Sequence, residues 1–109
     1  MKTISMTIHQ FDVCPTPFKR DKHERPFVVV LQSSLIDNRS RVCGMLVDAR
    51  FLEPLGRLNP AFTIERTKVY FHPVELVTLD ARLLRMPVAN LGHARDRIIA
   101  GLDLVFTGV

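Results

Sequence analysis

Pro26-Phe-Val-Val-Val-Leu-Gln32 is the stretch on which the fold turns. Its run of β-branched and aromatic side chains has no polar interruption from Phe27 to Leu31, so it predicts a strand buried on both faces near the centre of a sheet. Downstream, Asp37-Asn-Arg-Ser40 is a turn cluster. Ser40-Arg-Val-Cys-Gly-Met-Leu-Val47 then reads as the returning strand, bulged at Gly44. The two form an antiparallel pair joined by Ser33–Arg39. Upstream, residues 8–14 (Ile-His-Gln-Phe-Asp-Val-Cys) keep an imperfect alternation that predicts a first strand. Cys14-Pro-Thr-Pro-Phe18 should break it, because proline cannot donate to a ladder.

Further along, Ala49–Arg57 reads as a short helical or irregular segment and Leu58-Asn-Pro60 as a turn. Phe62-Thr-Ile64 and Lys68-Val-Tyr-Phe71 flank Glu65-Arg-Thr67 as a hairpin. Pro73 puts the next piece at a sheet edge, which Val74–Thr78 continues. Asp80–Arg85 reads as one helical turn and Met86-Pro-Val-Ala89 as a last strand. Asn90–Val109 closes the chain as one amphipathic helix, with Asn90 as N-cap and Gly108 as its stop. Leu91, Ala94, Ile98, Ile99, Leu102, Val105 and Phe106 fall within an arc of roughly 140°, away from His93, Arg95, Arg97 and Asp103. Short strands at regular spacing followed by a helix predict an α+β fold, a small curved, mostly antiparallel sheet or partial barrel with a C-terminal α-helix.

The 109 residues suit a single domain, and a 47% hydrophobic composition supplies a core. Net charge is +4 with the charges scattered, whereas nucleic-acid footprints are denser and interleaved with aromatics. The nearest approach to a basic run, Lys19–Arg25, is interrupted by Asp21 and Glu24. This balance also suits an acidic protein partner. Cys14 and Cys43 lie far apart, outside any ligand cluster, and read as reduced, half-buried strand residues of a cytoplasmic protein. The first residues lack the apolar core of a signal peptide. No apolar run approaches the ~20 residues of a membrane span.

Residue chemistry offers no catalytic constellation. Phosphate-binding glycine motifs are absent. His9, His23, His72 and His93 have no metal-ligand partner at helical spacing. Asp80 with Arg82, and Asp96 with Arg95 and Arg97, read as surface charges. What remains is recognition: Phe106, Thr107, Gly108 and Val109 at a helix tip could supply apolar anchors, although the spacing of Phe106 also fits the core face.

The chain resembles the CcdB toxins of bacterial toxin–antitoxin modules. The resemblance is carried by Gln10-Phe11-Asp-Val, by Phe27-Val-Val-Val-Leu-Gln-Ser-Ser-Leu-Ile-Asp37, by Arg41-Val42, by Leu58-Asn-Pro60 and by Met86-Pro-Val. Leu91, Arg95, Ile98, Leu102 and the final Gly108-Val109 complete it. Where the family has Pro-Leu after the Arg41-Val42 equivalent, this chain has Met45-Leu46. The resemblance divides the chain into a short extension over residues 1–9, with translation from Met6 losing nothing recognisable, and a single CcdB-like toxin domain over 10–109. It implies a homodimer on an architecture shared with the MazF ribonuclease toxins, without catalytic residues, metal or cofactor. The implied partners are the A subunit of DNA gyrase, whose covalent cleavage complex with DNA would be trapped, and a cognate antitoxin that neutralises the toxin. DNA would be met only indirectly, through the repressing antitoxin complex, and no membrane is involved. The gyrase surface carried over by matching position is Phe106, Thr107, Gly108, Val109 and Asp103, with Gln10, Phe11, Ser33, Leu35 and Ile36 from the first two strands. Thr107 stands where the best-known members have a Trp that stacks on a gyrase arginine, and Asp103 replaces a neutral residue. The alternatives are a relative with a weakened or shifted target that mainly binds antitoxin, and a MazF-like endoribonuclease, against which the scattered charge argues.

Overall fold

The computed structural model describes residues 8–36 and 38–109. Residues 1–7 of the expected 1–9 extension therefore lie outside the described residues, as does Asp37 of the predicted turn. Six strands form one antiparallel sheet: β1 (Asp12–Pro15), β2 (Phe27–Val30), β3 (Ser40–Asp48), β4 (Ala61–Ile64), β5 (Thr67–Asp80) and β6 (Ala89–Asn90). Their order across the sheet is β4-β5-β3-β2-β1-β6. It is nearly closed into a barrel and carries a C-terminal helix, α1 (Arg95–Phe106). The expected α+β class and curved sheet are what the chain adopts.

β2 is central and buried along its whole length, as its composition demands. Alternate side chains feed two cores. Phe27 and Val29 join Val13, Leu46, Val69 and Phe71 on the face covered by Leu91 and Ala94 just ahead of α1 and by Ile98 within it. Val28 and Val30 point the other way, onto Cys14, Cys43, Met45, Leu79 and Leu84. Each such side chain contributes roughly 1.5–3 kcal/mol of burial, so a one-residue slip of β2 would exchange two cores at once. The ladder fixes this register: Phe27 faces Leu46, Val28 faces Met45 and Val30 faces Cys43.

The bulge expected at Gly44 is present. The β3–β5 register shifts between Gly44, paired with Leu76, and Met45, paired with His72. A Cβ at Gly44 would lie 2.5 Å from the Phe71 ring, so the absence of a side chain lets that ring fill the core. On β5 the displaced residues are Pro73, Val74 and Glu75, where proline has no ladder bond to lose. Arg25 clamps Glu75 with two hydrogen bonds of 2.6 and 2.7 Å. The β4–β5 hairpin turns on Glu65 and Arg66, both with positive φ (48° and 71°), as a tight two-residue connection requires.

Several expectations shift. The first strand begins at Asp12 and runs through Pro15, because the backbone turns at Gln10-Phe11, where Phe11 has φ 69°. The last strand is Ala89–Asn90 rather than Met86–Ala89, since the register with β1 pairs Ala89 with Val13 and Asn90 with Asp12. Asn90 is thus a strand residue and not the helix N-cap; a 3-10 turn at Gly92–Ala94 intervenes and α1 starts at Arg95. Both cysteines are fully rather than half buried. Burial pushes their thiols up, to about 11 for Cys14 and about 12 for Cys43. Among the described residues no helix is long and apolar enough to cross a membrane.

Candidate functional site

The helix stripe seats α1 only along its first turns. Leu91 and Ala94 just ahead of it and Ile98 and Gly101 within it are buried, and Leu102 is partly so. Gly101 allows the closest approach: a Cβ there would stand 3.0 Å from the Leu58 carbonyl and 3.7 Å from Pro73. Arg97 lies over the Phe62 ring at 5.0 Å, which covers the outer strand. Beyond Leu102 the stripe leaves the core. Val105 and Phe106, although in register with it, are exposed, Phe106 to 69%. This settles the ambiguity of Phe106 as a surface side chain.

The tip is ordered by its own hydrogen bonds. The Asp103 carbonyl accepts from Thr107 N–H at 2.8 Å and from Gly108 N–H at 3.1 Å. Gly108 takes φ 78°, the left-handed stop expected of it. Thr107 turns its hydroxyl inward, donating to the same Asp103 carbonyl at 2.8 Å and accepting from Val109 N–H at 3.3 Å. Thr107 is therefore a brace, and the outward-facing apolar groups are Phe106 and Val109, the latter 83% exposed. No basic residue sits in the last helical turn, while Asp103 is exposed there. Its carboxylate adds to the negative end of the helix dipole, so the tip suits a cationic side chain of a partner.

A second group forms around Gln10. Its backbone N–H donates to Ser34 Oγ at 3.1 Å and its side-chain amide to the Leu31 carbonyl at 3.0 Å. Ser33 Oγ accepts from Leu35 N–H, shaping a turn that leaves Leu35 94% exposed and Ile36 exposed beside it. Asn90 donates to the Gln10 carbonyl and to Asp12, and accepts from Gly92 N–H. Phe11 differs from its neighbours: it is 4% exposed and part of the core beneath the helix. Its side chain is not surface, and its positive φ serves to swing Gln10 outward.

The expected residues thus fall into two groups. Gln10, Ser33, Leu35 and Ile36 cluster at one end of α1, where Leu91 N–H donates to the Phe11 carbonyl. Asp103 and Phe106–Val109 stand at the C-terminal end of its 12 residues, a helix about 18 Å long at 1.5 Å per residue. Asn90 and Ser34, which hold the first group, were not singled out from sequence for that work. Asn90 looked like a cap, and Ser34 carries no local signal, since its partner Gln10 is distant in the chain. Among the described residues no cluster of three or more His, Cys, Asp or Glu could hold a metal ion.

A small bent sheet with two cores thus carries a helix whose capped apolar tip stays in solvent. The chain belongs to the CcdB family: the family model described as CcdB protein matches residues 10–108. That membership places it among the toxins of toxin–antitoxin modules. A comparison with curated proteins matched none.

Proposed function

We propose that this chain is a cytoplasmic, non-enzymatic toxin that binds the A subunit of DNA gyrase through the tip of α1 and traps the gyrase–DNA cleavage complex. A cognate antitoxin would neutralise it. The observation that carries this reading is the exposed pair Phe106 and Val109 on a capped, ordered helix end. Apolar side chains held rigidly in solvent lose little entropy on docking and supply the centre of an interface. Asp103 beside them offers a carboxylate to a guanidinium or ammonium on the target. In a homodimer the two-fold axis would present two such tips.

The test is a supercoiled plasmid incubated with gyrase, ATP and the purified protein. Linear DNA accumulating after detergent and protease treatment is expected. An unchanged cleavage complex at micromolar protein would refute the proposal.

One observation favours a second reading. Thr107 spends its hydroxyl inside the helix end, so the cation–π contact of about 0.5–2 kcal/mol that a Trp would make is missing. A relative that chiefly binds antitoxin would show full antitoxin affinity and no linear DNA.

A further inference from the structure

Charges that are scattered along the chain are gathered where β3 ends and β5 begins. Asp48 of β3 stands opposite Val69 of β5, which brings Arg50 beside Arg66 and Lys68. Asp48, Ala49, Arg50, Arg66, Thr67 and Lys68 line an open concavity of about 330 Å³ there. Neither the helix tip nor the Gln10 group contributes to it.

The concavity is net positive. Asp48 is the one carboxylate that lines it, and Arg50 neutralises that charge. The Arg50 backbone N–H, Nε and Nη2 donate to Asp48 oxygens at 2.9, 3.0 and 3.0 Å. These bonds hold the Asp48 carboxyl below its ordinary range. Among the described residues Arg66 and Lys68 make no ion pair, so two cations stay uncompensated. Glu65, next in the turn, does not line the concavity, and Thr67 adds a hydroxyl to it. Two rings flank the cations. Lys68 lies over Tyr70 and Arg50 over Phe51, each at 5.4 Å, and His23 meets the Phe51 ring edge at 5.0 Å.

We infer that this concavity is a contact site for the phosphodiester backbone of duplex DNA, with Arg66 and Lys68 meeting adjacent phosphates and Thr67 donating to one of them. Arginine and lysine suit phosphate oxygens. Ala49 is the only apolar residue in the lining, so the centre of a peptide interface has no anchor here. Phe51 and Tyr70 already carry cations and offer unpaired bases little bare ring to stack on. A duplex, with about one charge per 1.7 Å of axis, is the densest source of phosphates. Such contacts orient the protein on DNA without reading sequence. Where the family resemblance implies DNA met only through an antitoxin complex, this site gives the chain a direct hold. The choice of DNA as the duplex rests on the gyrase reading, which places the chain beside DNA.

The probe is a fluorescein-labelled DNA duplex of arbitrary sequence, titrated against the full chain by anisotropy from low to high salt with no gyrase present. Binding is expected whose logarithm falls with the logarithm of salt at a slope of about −2, as two neutralised phosphates require. Arg66→Glu with Lys68→Glu should weaken it by about tenfold or more. Should that variant unfold, as thermal melting would reveal, Arg66→Gln with Lys68→Gln should flatten the slope to near zero. Lys19→Glu with Lys22→Glu makes the same change in net charge elsewhere and should leave affinity within about twofold. Equal weakening by both reversals would reduce the effect to net charge and overturn the inference. So would unchanged affinity in the hairpin variants, or tighter binding of a single strand or of a glutamate-rich peptide at the same residues. A chain that binds the duplex but leaves gyrase untouched would sink the gyrase reading alone.

Discussion

Under the proposed function, Thr107 is where a single side chain weighs most. Its hydroxyl caps Asp103 and receives Val109 N–H, so it orders the tip without reaching out from it. Replacing it should trade brace for contact. Thr107→Trp is expected to tighten binding to the gyrase A subunit by about 0.5–2 kcal/mol, two- to thirtyfold, through ring–guanidinium stacking. Isothermal titration checks this; unchanged or weaker binding would mean that the target arginine is out of reach of this tip. Phe106 illustrates the limit of reading residues from periodicity. Its angle places it on the apolar arc with Ile98 and Leu102, yet the core ends at Leu102 and Phe106 is left in solvent. Helical angle alone does not say how far along the axis a partner surface extends.

Among the elements, the β2–β3 pair was the most legible, because an uninterrupted β-branched run and a glycine in the return strand each have one physical meaning. Gly44 carries a direct prediction. Gly44→Ala must displace the Phe71 ring or the bulge, and should destabilise the fold by about 1–3 kcal/mol in denaturant titration. No loss would show that the ring relocates freely. The ends of elements were less legible. Asn90 satisfies the chemistry of an N-cap, but long-range pairing with Asp12 and the Gln10 carbonyl claims it for β6. Pro15 ends a strand that local rules would have ended at Cys14, since its missing N–H falls where β6 no longer pairs with β1. The loop at Gln10 was legible as a site through resemblance alone; its bonds to Ser34 and Leu31 join distant parts of the chain.

At the scale of the molecule, an extended body of 48 × 29 × 23 Å is tied together by charge as well as by its two cores. Arg25–Glu75 fastens the β5 bulge to the loop before β2, Arg50 holds Asp48, and Arg39 and Arg82 converge on Asp80. Hydrogen bonds from these arginines hold the three carboxyls below their ordinary range. A depressed carboxylate pKa contributes stability that is present above the unfolded value and lost as pH falls through the folded one. Thermal midpoints should therefore decline as pH drops below the ordinary values of 4.5 for Glu75 and 3.8 for Asp48 and Asp80. Glu75→Gln should lower the midpoint at pH 7, with a gap to the parent that narrows towards pH 3. A gap independent of pH would contradict the assignment of this ion pair.

The central claim is that the ordered apolar tip, not the sheet, engages the target. Calorimetric titration of the gyrase A subunit with the intact chain and with a chain lacking Thr107–Val109 tests it most directly. Binding by the intact chain, abolished in a truncated chain that still melts cooperatively, is the predicted result. Equal binding by both chains, or none by the intact one, would contradict it.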